Sequence, residues 1–431
     1  MTENNNQNTG QQAAPNAEAE SSHRHTESIE EMKQQLEGNP NQISVIKLVD
    51  AIVVAAFEAR ASDIHVDPEG DKIRIRFRID GVLHDNFSLP KNLQSELVTR
   101  IKILAGLRTD EHQAAQDGRF KMQVPGHDHL DVRVSIAPTY YGENCVMRLL
   151  AEQSQGLSLE SLGYSVKNLE ILNSSMRRPY GMILATGPTG SGKTTSLYAV
   201  LKKLNIPDVS IITIEDPIEY SIGGIDQVQV NTRTGLTFSD GLRFILRQDP
   251  NIIMVGEIRD DDTAKIAVNA AMTGHLVLST LHTNDSATTL PRLLDMGVEP
   301  FLIASTINIA IGQRLVRKVC NDCRAERQLK PEEIVSLKGT VPDKYLNRDQ
   351  TFVVGVGCKK CEGTGYKGRI GIHEVLQITE PIRKLIMQRA TAAEIRRAAI
   401  AEGMVPMLED GIEKAMSGVT TIEEVLRVFH E

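Results

Sequence analysis

The distribution of apolar and polar positions divides the chain into a polar N-terminal segment, an α+β region and a longer region of alternating strands and helices. Residues 1–40 are rich in Asn, Gln, Glu and Ala and contain no Phe, Tyr or Trp. Such a segment cannot bury enough apolar surface to fold alone, so we expect a disordered tail over 1–40. Ile29, Met32 and Leu36 have the spacing of one helical face, and a short docking helix is the alternative.

Residues 41–152 carry periodicities that predict one compact α+β domain. Apolar residues recur with a helical period from Ile43 to Arg60, and a second helix is predicted from Asn92 to Gly106. Strict alternation from Lys72 to Asp80 predicts a half-buried strand with a basic outer face, and Asp80-Gly81 predicts a hairpin. Further strands are predicted at Gly118 to Val124, Leu130 to Ile136 and Asn144 to Leu149.

A predicted linker over 153–158 leads to a second domain, residues 159–431. From Met182 onward, predicted strands alternate with predicted helices, which is typical of a parallel sheet with crossover helices. The segment that begins near Pro381 is predicted to be helical and charged. The sequence therefore predicts an α/β fold for the second domain.

Composition limits the classes of function. Aromatic residues make up 4% of the chain, Trp is absent and the formal net charge is -8, which argues against a protein whose whole surface attracts nucleic acid and leaves a local basic groove as the alternative. The sequence has no run of 18 apolar residues and begins with a polar segment that lacks a signal peptide. We therefore expect a cytoplasmic protein, or one peripheral on the cytoplasmic face of a membrane, whose five cysteines are reduced.

A glycine-rich run from Gly187 to Thr194 reads Gly-Pro-Thr-Gly-Ser-Gly-Lys-Thr. A predicted buried strand, Tyr180 to Ala185, precedes it and a predicted amphipathic helix follows, which is the context of a phosphate loop. The glycines let backbone N–H groups face phosphate oxygens, Lys193 reaches the β and γ phosphates of ATP, and Thr194 holds Mg²⁺. The predicted nucleotide-binding residues are Gly187, Pro188, Thr189, Gly190, Ser191, Gly192, Lys193, Thr194 and Thr195.

Acidic residues follow two further predicted strands. Glu215 follows the strand over 209–214, and Glu257 follows the strand over 251–255. Because ligands of open parallel sheets bind at the carboxyl ends of the strands, both acids are expected to face the nucleotide. One would orient Mg²⁺ through water, and the other would position and deprotonate the attacking water. Gly256 stands where a Walker B motif usually has Asp, which argues against direct metal coordination by a carboxylate there.

A third apolar run, Leu276 to Leu281, lies between His275 and His282. His282 comes at the end of a predicted strand, near the carboxyl ends of the two strands that precede the acids. It is a candidate sensor of the γ-phosphate, and a packing role is the alternative.

Four of the five cysteines form two Cys-x-x-Cys pairs, Cys320 with Cys323 and Cys358 with Cys361. In a reducing compartment, two such pairs predict four thiolates around Zn²⁺, in an insert over 318–368. The long spacing requires the segment between the pairs to fold back on itself. Four uncoordinated thiols or a redox pair is the alternative.

These segments together resemble the hexameric ATPases of type II secretion and type IV pilus assembly. The resemblance covers about residues 43–430 and rests on motifs that occur in a fixed order. The motifs are Ala61-Ser62-Asp63-Ile64-His65, Arg78-Ile79-Asp80-Gly81, Arg133-Val134-Ser135, Pro138-Thr139, Gly142-Glu143, Arg148-Leu149-Leu150, Gly187 to Thr194, Thr213 to Tyr220, Asn251 to Asp260, Gly274 to Asp285, the four paired cysteines and Gly371-Ile372-His373-Glu374.

The resemblance implies a PAS-like domain over 41–152, followed by a RecA-like ATPase domain over 159–431 that includes the zinc insert. It implies that Glu215 is the catalytic base and that Glu257 is a Walker B acid that acts through water, and Gly256 is usual for the family. The arginines that it places around the phosphates are Arg133, Arg148, Arg243 and Arg247.

Arg133 and Arg148 lie on two predicted strands of the first domain. Neither has an obvious carboxylate partner at cross-strand spacing, so both are expected to act as arginine fingers that complete the active site. A surface salt bridge is the alternative for each of the four arginines, including Arg243 and Arg247.

The resemblance also implies a ring of six subunits, a bound Zn²⁺, and membrane association through an inner-membrane platform protein and a cytoplasmic docking protein. The predicted function is ATP hydrolysis that powers pilin or pseudopilin assembly, with no nucleic acid as a partner. Two other classes of function are alternatives. A nucleic-acid-translocating RecA-like ring ATPase is disfavoured by the composition, and a non-hydrolysing scaffold is disfavoured by the complete set of nucleotide-site residues.

Overall fold

The computed structural model describes residues 44–124, 127–150, 158–346 and 351–430. The chain divides into two compact units, residues 1–152 and 153–431. The predicted disordered tail over 1–40, with its possible docking helix, lies outside the described residues, as does the predicted linker except for Ser158. Among the described helices, none combines the length and the apolar character that a bilayer-spanning helix needs.

The described part of the first unit is an antiparallel sheet of six strands in the order β3-β2-β1-β6-β5-β4, together with two helices. Both predicted helices are present. Their apolar faces and the inward side chains of the sheet form one core, which includes Leu48, Phe77 and Ile101. The elements are α1 (Val45–Glu58), β1 (Ala61–Pro68), β2 (Lys72–Ile79), β3 (Val82–Pro90), α2 (Gln94–Ala105), β4 (Gln116–Val124), β5 (His127–Thr139) and β6 (Gly142–Leu150).

The alternation in β2 is confirmed, because Ile73, Ile75 and Phe77 are buried while the arginines between them are half-buried. The hairpin at Asp80-Gly81 is confirmed by the antiparallel pairing of β2 with β3. The strand β3 itself was not predicted. It lies at the edge of the sheet and most of its side chains are only partly buried, so it lacks the alternation that marks a strand in sequence.

A buried ion pair lies in the first unit. The Lys102 side chain is 0% exposed, its Nζ lies 2.6 Å from Glu143 Oε1, and it donates a hydrogen bond to the carbonyl oxygen of Glu111. The ring of His112 hydrogen-bonds the other oxygen of Glu143 at 2.9 Å. Burial alone would raise the pKa of Glu143, but the hydrogen bonds from Lys102 and His112 outweigh it and lower that pKa.

The second unit contains a largely parallel sheet of seven described strands in the order β15-β12-β7-β11-β10-β8-β9, in which only the β12–β15 pair is antiparallel. The elements up to β11 are α3 (Val166–Met176), β7 (Gly181–Thr186), α4 (Lys193–Leu204), β8 (Ile211–Glu215), β9 (Asp226–Gln229), α5 (Phe238–Ile245), β10 (Ile252–Val255), α6 (Asp261–Met272) and β11 (Leu276–Leu281). The elements after β11 are α7 (Thr289–Asp295), α8 (Pro300–Thr306), β12 (Ile307–Val319), β13 (Arg324–Gln328), α9 (Pro331–Leu337), β14 (Thr351–Gly355), β15 (Tyr366–Gln377), α10 (Glu380–Met387), α11 (Ala392–Ala401), α12 (Met407–Met416) and α13 (Ile422–His430).

Alternate residues of the buried strands face two separate cores, one on each side of this sheet. Met182 and Leu184 of β7 belong to the core that α5, α6, α7 and α8 cover. Ile183 and Ala185 belong to the core that α3 and α4 cover. The sheet is therefore buried on both faces, which is why its strands read as continuous apolar runs in sequence.

The strands β12 and β15 form a long antiparallel pair that carries the cysteine region at one end. β12 ends at Val319, immediately before Cys320, and β15 begins at Tyr366, shortly after Cys361. Between them, β13 pairs with β14 so that Arg324 lies opposite Gly355. The predicted fold-back of the long segment between the two cysteine pairs is thus confirmed.

We predict that Lys102→Met lowers the free energy of unfolding of the first unit by about 3 to 5 kcal/mol, because it leaves the Glu143 carboxylate without its buried cation. Urea unfolding of the full chain measures this, and Lys102→Met combined with Glu143→Gln should cost less than the two single variants added together. Lys72→Met is the control, since Lys72 pairs with Glu69 at the surface and should change stability by less than about 1 kcal/mol. Equal losses in Lys102→Met and Lys72→Met would contradict the buried ion pair.

Candidate nucleotide and metal sites

The predicted phosphate loop lies between the end of β7 at Thr186 and the start of α4 at Lys193. Gly187, Gly190 and Gly192 have φ angles of 147°, 79° and 85°, in the region that favours glycine. A Cβ added to Gly187 would lie 2.3 Å from the backbone oxygen of Gln313 on β12, so the loop has no room for a side chain there. The backbone turn that a phosphate loop needs is therefore built into the sequence.

Lys193 lies in the first turn of α4 and is 7% exposed. Its Nζ donates hydrogen bonds to the carbonyl oxygens of Gly187 at 2.8 Å and Pro188 at 3.0 Å. Burial lowers the pKa of Lys193, while the nearby charge of Glu257 acts in the opposite direction. An ammonium group held against the carbonyls of its own loop can reach a phosphate by exchanging two hydrogen bonds, without a change in the fold. Thr194 and Thr195 follow it in α4, and both are half-buried.

Glu215 ends β8 and is 2% exposed. Its carboxylate accepts hydrogen bonds from the Tyr198 hydroxyl, from Thr213 Oγ1 at 2.6 Å and from Gln227 Nε2 at 3.1 Å. Burial and the neighbouring Glu215 raise the pKa of Tyr198, so the tyrosine remains a hydrogen-bond donor. Sequence reasoning found the acid but missed Tyr198 on α4 and Gln227 on the edge strand β9. The only signal for them was the general need of a buried acid for donors.

Glu257 follows β10 and lies among positively charged groups and a histidine. Its carboxylate forms an ion pair with Arg259 at 2.6 Å and a hydrogen bond with His282 Nε2 at 3.1 Å. The parallel pairing of β10 with β11 brings Glu257 and His282 together, because both follow the carboxyl ends of their strands. His275, at the other end of β11, hydrogen-bonds the carbonyl oxygen of Ala270 and caps α6.

The position of Gly256 has a steric explanation. A Cβ placed on Gly256 would lie 3.3 Å from Glu215 Cα and 3.3 Å from the Ile214 oxygen, which is tighter than ordinary van der Waals contact. β8 and β10 are neighbours in the sheet, so the strand that ends in Glu215 leaves little room for an Asp beside it.

The arginines expected around the phosphates occupy different surroundings. Arg243 lies on α5 and pairs with Asp240 at 3.2 Å. Arg247 donates a hydrogen bond to the Arg243 carbonyl at 3.0 Å, and its guanidinium stacks over Phe244. Both arginines are exposed and are held by these local contacts.

In the first unit, Arg133 and Arg148 lie directly opposite each other on β5 and β6. The expectation that neither has a carboxylate partner is wrong for Arg148. Its Nε lies 2.9 Å from Asp63 Oδ1, because β1 pairs with β6 in a register that places Asp63 opposite Arg148. Sequence spacing did not reveal this, since the two strands are 85 residues apart in the chain.

The four paired cysteines lie together, and their Sγ atoms are all within 4.8 Å of one another. The Sγ atoms of Cys320 and Cys358 are 3.9 Å apart, and those of Cys323 and Cys361 are 3.8 Å apart. A tetrahedron with Zn–S bonds of about 2.3 Å has S···S edges of about 3.8 Å, so the donor set and its spacing fit Zn²⁺.

Hydrogen bonds within the cysteine cluster favour a thiolate at Cys361. Burial alone would raise its pKa, but the backbone N–H groups of Cys358 and Gly365 donate to the sulfur at 3.2 Å each and lower the pKa to about 7. The fifth cysteine, Cys145, is buried in the first unit, where burial raises its pKa and keeps it a neutral thiol.

Comparison with known proteins identifies relatives of almost the whole chain. Residues 39–427 match the family model of type II/IV secretion system proteins. The chain is 45% identical over 401 residues to the type IV pilus assembly ATPase PilB of Myxococcus xanthus, which covers 93% of this chain and 70% of that protein. It is 47% identical over 388 residues to type II secretion system protein E of Pectobacterium carotovorum, which covers 90% of this chain and 76% of that protein.

Solved structures share the fold. The pilus retraction motor PilT with bound ADP is 26% identical, with a TM-score of 0.59, and the match covers 90% of this chain and 97% of that one. The ATPase DotB of Legionella pneumophila is 20% identical with a TM-score of 0.66, over 92% of this chain and 98% of that one, and shows the fold alone. On the family match and these identities, the chain belongs to the type II/IV secretion system protein family.

Proposed function

We propose that this protein is a motor that hydrolyses ATP to power pilin or pseudopilin assembly in a type II secretion or type IV pilus system. The observation that carries the proposal is the phosphate loop flanked by two buried acids, Glu215 and Glu257, at the carboxyl ends of neighbouring strands. Relatives that share close to half of its residues are pilus assembly and secretion proteins. That relationship favours a secretion motor over a translocase of nucleic acid.

The residues divide into three roles in this proposal. The loop from Gly187 to Thr195 binds the phosphates of ATP, and Thr194 holds Mg²⁺. Glu215 acts as the general base toward the attacking water, and Glu257 orients Mg²⁺ through a water molecule. His282 is hydrogen-bonded to Glu257, so it is suited to sense the γ-phosphate through that acid.

The assembly in this proposal is a ring of six subunits on the cytoplasmic side of the inner membrane. The first unit is a PAS-like domain, and the second is a RecA-like ATPase domain. Arg133 and Arg148 of the first unit, with Arg243 and Arg247 of the second, supply positive charge to the phosphates during hydrolysis. An inner-membrane platform protein and a cytoplasmic docking protein are the proposed partners, as the family resemblance implies.

Zn²⁺ is the proposed metal of the four-cysteine cluster. Cys320, Cys323, Cys358 and Cys361 would hold it as thiolates, and their sulfur spacing supports tetrahedral coordination. A zinc ion there would join the ends of β12 and β15 through both cysteine pairs.

We predict that Glu215→Gln retains nucleotide binding and lowers kcat by at least about 100-fold, because general-base catalysis typically contributes that much. Lys193→Ala should weaken ATP binding by about 10- to 100-fold, since it removes a charge-assisted hydrogen bond. Steady-state phosphate release and equilibrium nucleotide binding measure the two effects. Glu170→Gln, an exposed acid on α3, is the control and should leave both quantities unchanged. Near-normal turnover in Glu215→Gln would remove this acid from the role of base.

We predict that Arg133→Ala or Arg148→Ala lowers ATP hydrolysis at least about tenfold while nucleotide affinity stays within about twofold, because a finger acts on the transition state. The same assays on the full chain measure this. Lys121→Ala changes an exposed basic residue of β4 in the same unit and should leave turnover unchanged. Normal hydrolysis in both arginine variants would show that the two residues are ordinary surface groups.

We predict about one Zn²⁺ per chain in protein purified without added metal, measured by elemental analysis. Cys323→Ser should lose most of that zinc and lower the thermal stability of the second unit, because metal binding contributes folding free energy. Cys145→Ser should keep the zinc, since Cys145 lies outside the cluster. An absence of zinc, with all four paired thiols free to react, would refute the assignment.

A further inference from the structure

The strand β12 pairs with β7, and one side chain of β12 contacts the phosphate loop. Gln313 is 2% exposed. Its Nε2 donates a hydrogen bond to the carbonyl oxygen of Ser191 at 2.8 Å, and its Oε1 accepts one from Ser196 Oγ at 2.8 Å. Ser191 belongs to the loop and Ser196 to the first turns of α4. A single buried amide therefore connects the loop to the helix that begins at Lys193.

The strand β12 approaches two glycines of the loop closely. A Cβ on Gly187 would lie 2.3 Å from the Gln313 backbone oxygen, and a Cβ on Gly192 would lie 2.9 Å from Gln313 Nε2. Two glycines of the loop thus face this one residue. Moving or replacing Gln313 changes the surface against which the loop is folded.

A residue of β15, the strand that pairs with β12, contacts a second loop of the nucleotide site. Glu374 of β15 lies opposite Gly312 and is 2% exposed. Its Oε1 accepts hydrogen bonds from the backbone N–H of Ser286 at 2.8 Å and from Ser286 Oγ at 2.7 Å. Its Oε2 accepts one from the backbone N–H of Met407 at 3.2 Å, at the start of α12.

Glu374 faces three donors, so an ionised carboxylate suits the position better than an amide. The start of α12 adds the favourable end of a helix dipole. A Cβ on Gly312 would lie 2.8 Å from Glu374 Cγ and 2.9 Å from Met407 Cε, so Gly312 is the residue that admits this acid.

Ser286 lies in the loop after β11, the same loop that carries His282. The loop is also fixed to the end of β7, where the Thr186 hydroxyl donates to the Thr283 carbonyl at 2.8 Å. On its far side, Asp285 forms an ion pair with Arg396 of α11. The loop after β11 is therefore held between the strand that leads into the phosphate loop and the C-terminal helices.

We propose that Gln313 and Glu374 are positioning residues of the nucleotide site, which rests on the function proposed above. Gln313 fixes the phosphate loop and should act on nucleotide binding. Glu374 fixes the loop that places His282 beside Glu257, and should act on the rate of hydrolysis. Neither residue touches the reacting atoms, and both belong to the β12–β15 strand pair.

The first experiment compares Gln313→Met with Asn308→Leu in the full chain. Asn308 is a buried amide of the same strand, but it accepts a hydrogen bond from the Arg178 guanidinium at 2.9 Å and donates one to the Tyr180 carbonyl at 3.2 Å, at the opposite end of β7. Both replacements keep the side-chain shape and remove two hydrogen bonds. The readouts are the Kd for Mg²⁺-ADP carrying a fluorescent N-methylanthraniloyl group, and the thermal unfolding temperature.

Gln313→Met is expected to raise that Kd at least about fivefold, the scale of one or two lost hydrogen bonds, whereas Asn308→Leu should lower stability and leave the Kd within about twofold. An unchanged Kd in Gln313→Met, or an equal change in both variants, overturns the role of Gln313. If Gln313→Met does not fold, Ser196→Ala removes one partner of the amide and is judged by the same criterion.

The second experiment compares Glu374→Gln with Glu424→Gln. Glu424, on α13, is also a buried carboxylate. It accepts hydrogen bonds from Arg427 and from Arg317, which lies on β12 near the cysteine cluster. Glu374→Gln places an amide donor against the donors of Ser286 or Met407. It is expected to lower kcat at least about fivefold with the nucleotide Kd within about twofold, while Glu424→Gln should lower stability alone.

Loss of kcat in both glutamate variants to the same extent, or normal kcat in Glu374→Gln, overturns the role of Glu374. If Glu374→Gln does not fold, Ser286→Ala should lower kcat about twofold or more, and normal turnover there counts against the proposal. The Kd measurements need no turnover. A wild-type chain that binds nucleotide without hydrolysing it would refute the proposed ATPase while still testing Gln313.

Discussion

Buried carboxylates at the ends of the parallel strands determine the arrangement of the nucleotide site, because an ionised acid out of water is stable only among donors or cations. Glu215 accepts hydrogen bonds from Tyr198, Thr213 and Gln227. Because Tyr198 lies on α4 and Gln227 on the edge strand β9, these bonds fix both elements beside the acid. Glu257, at the end of the neighbouring strand β10, contacts Arg259 and His282. The acids are functional groups in the proposed mechanism, and they also organise the loops around themselves.

The local parts of this site could be predicted from sequence, and its tertiary partners could not. The strand, the glycine turn and the helix around Lys193 follow from spacing alone, as does the placement of Glu215 and Glu257 at strand ends. Gln313 is more than a hundred residues from the loop that it contacts, and no periodicity marks it as different from its neighbours on β12. The edge strand β3 was missed for a related reason, since partial burial leaves no alternation to read.

The long β12–β15 pair connects two sites that sequence motifs suggest are separate. Gln313 and Cys320 lie on the same continuous stretch, seven positions apart, which is about 23 Å along a strand. Because Gln313 lies against the phosphate loop and Cys320 follows the strand end, a metal that joins the cysteine pairs would restrain the strand pair at its far end. The cysteine site therefore has a structural reason to be present in an ATPase, without any contact with nucleotide.

The ion pair between Arg148 and Asp63 affects how an arginine finger can work in the proposed mechanism. Asp63 is buried, whereas the Arg148 side chain is 57% exposed, so the guanidinium remains open to solvent while it contacts the carboxylate. Asp63 also accepts a hydrogen bond from Ser62 and lies 3.6 Å from the Arg78 guanidinium. When Arg148 turns to a phosphate, Asp63 therefore retains two partners and is not left as an uncompensated buried charge. In the proposed mechanism the phosphate competes with Asp63 for the guanidinium, and Arg148 would exchange between carboxylate and nucleotide as the nucleotide state changes. A partner that could not be exchanged in this way would keep the guanidinium from binding a phosphate and would prevent the coupling that the proposed motor requires.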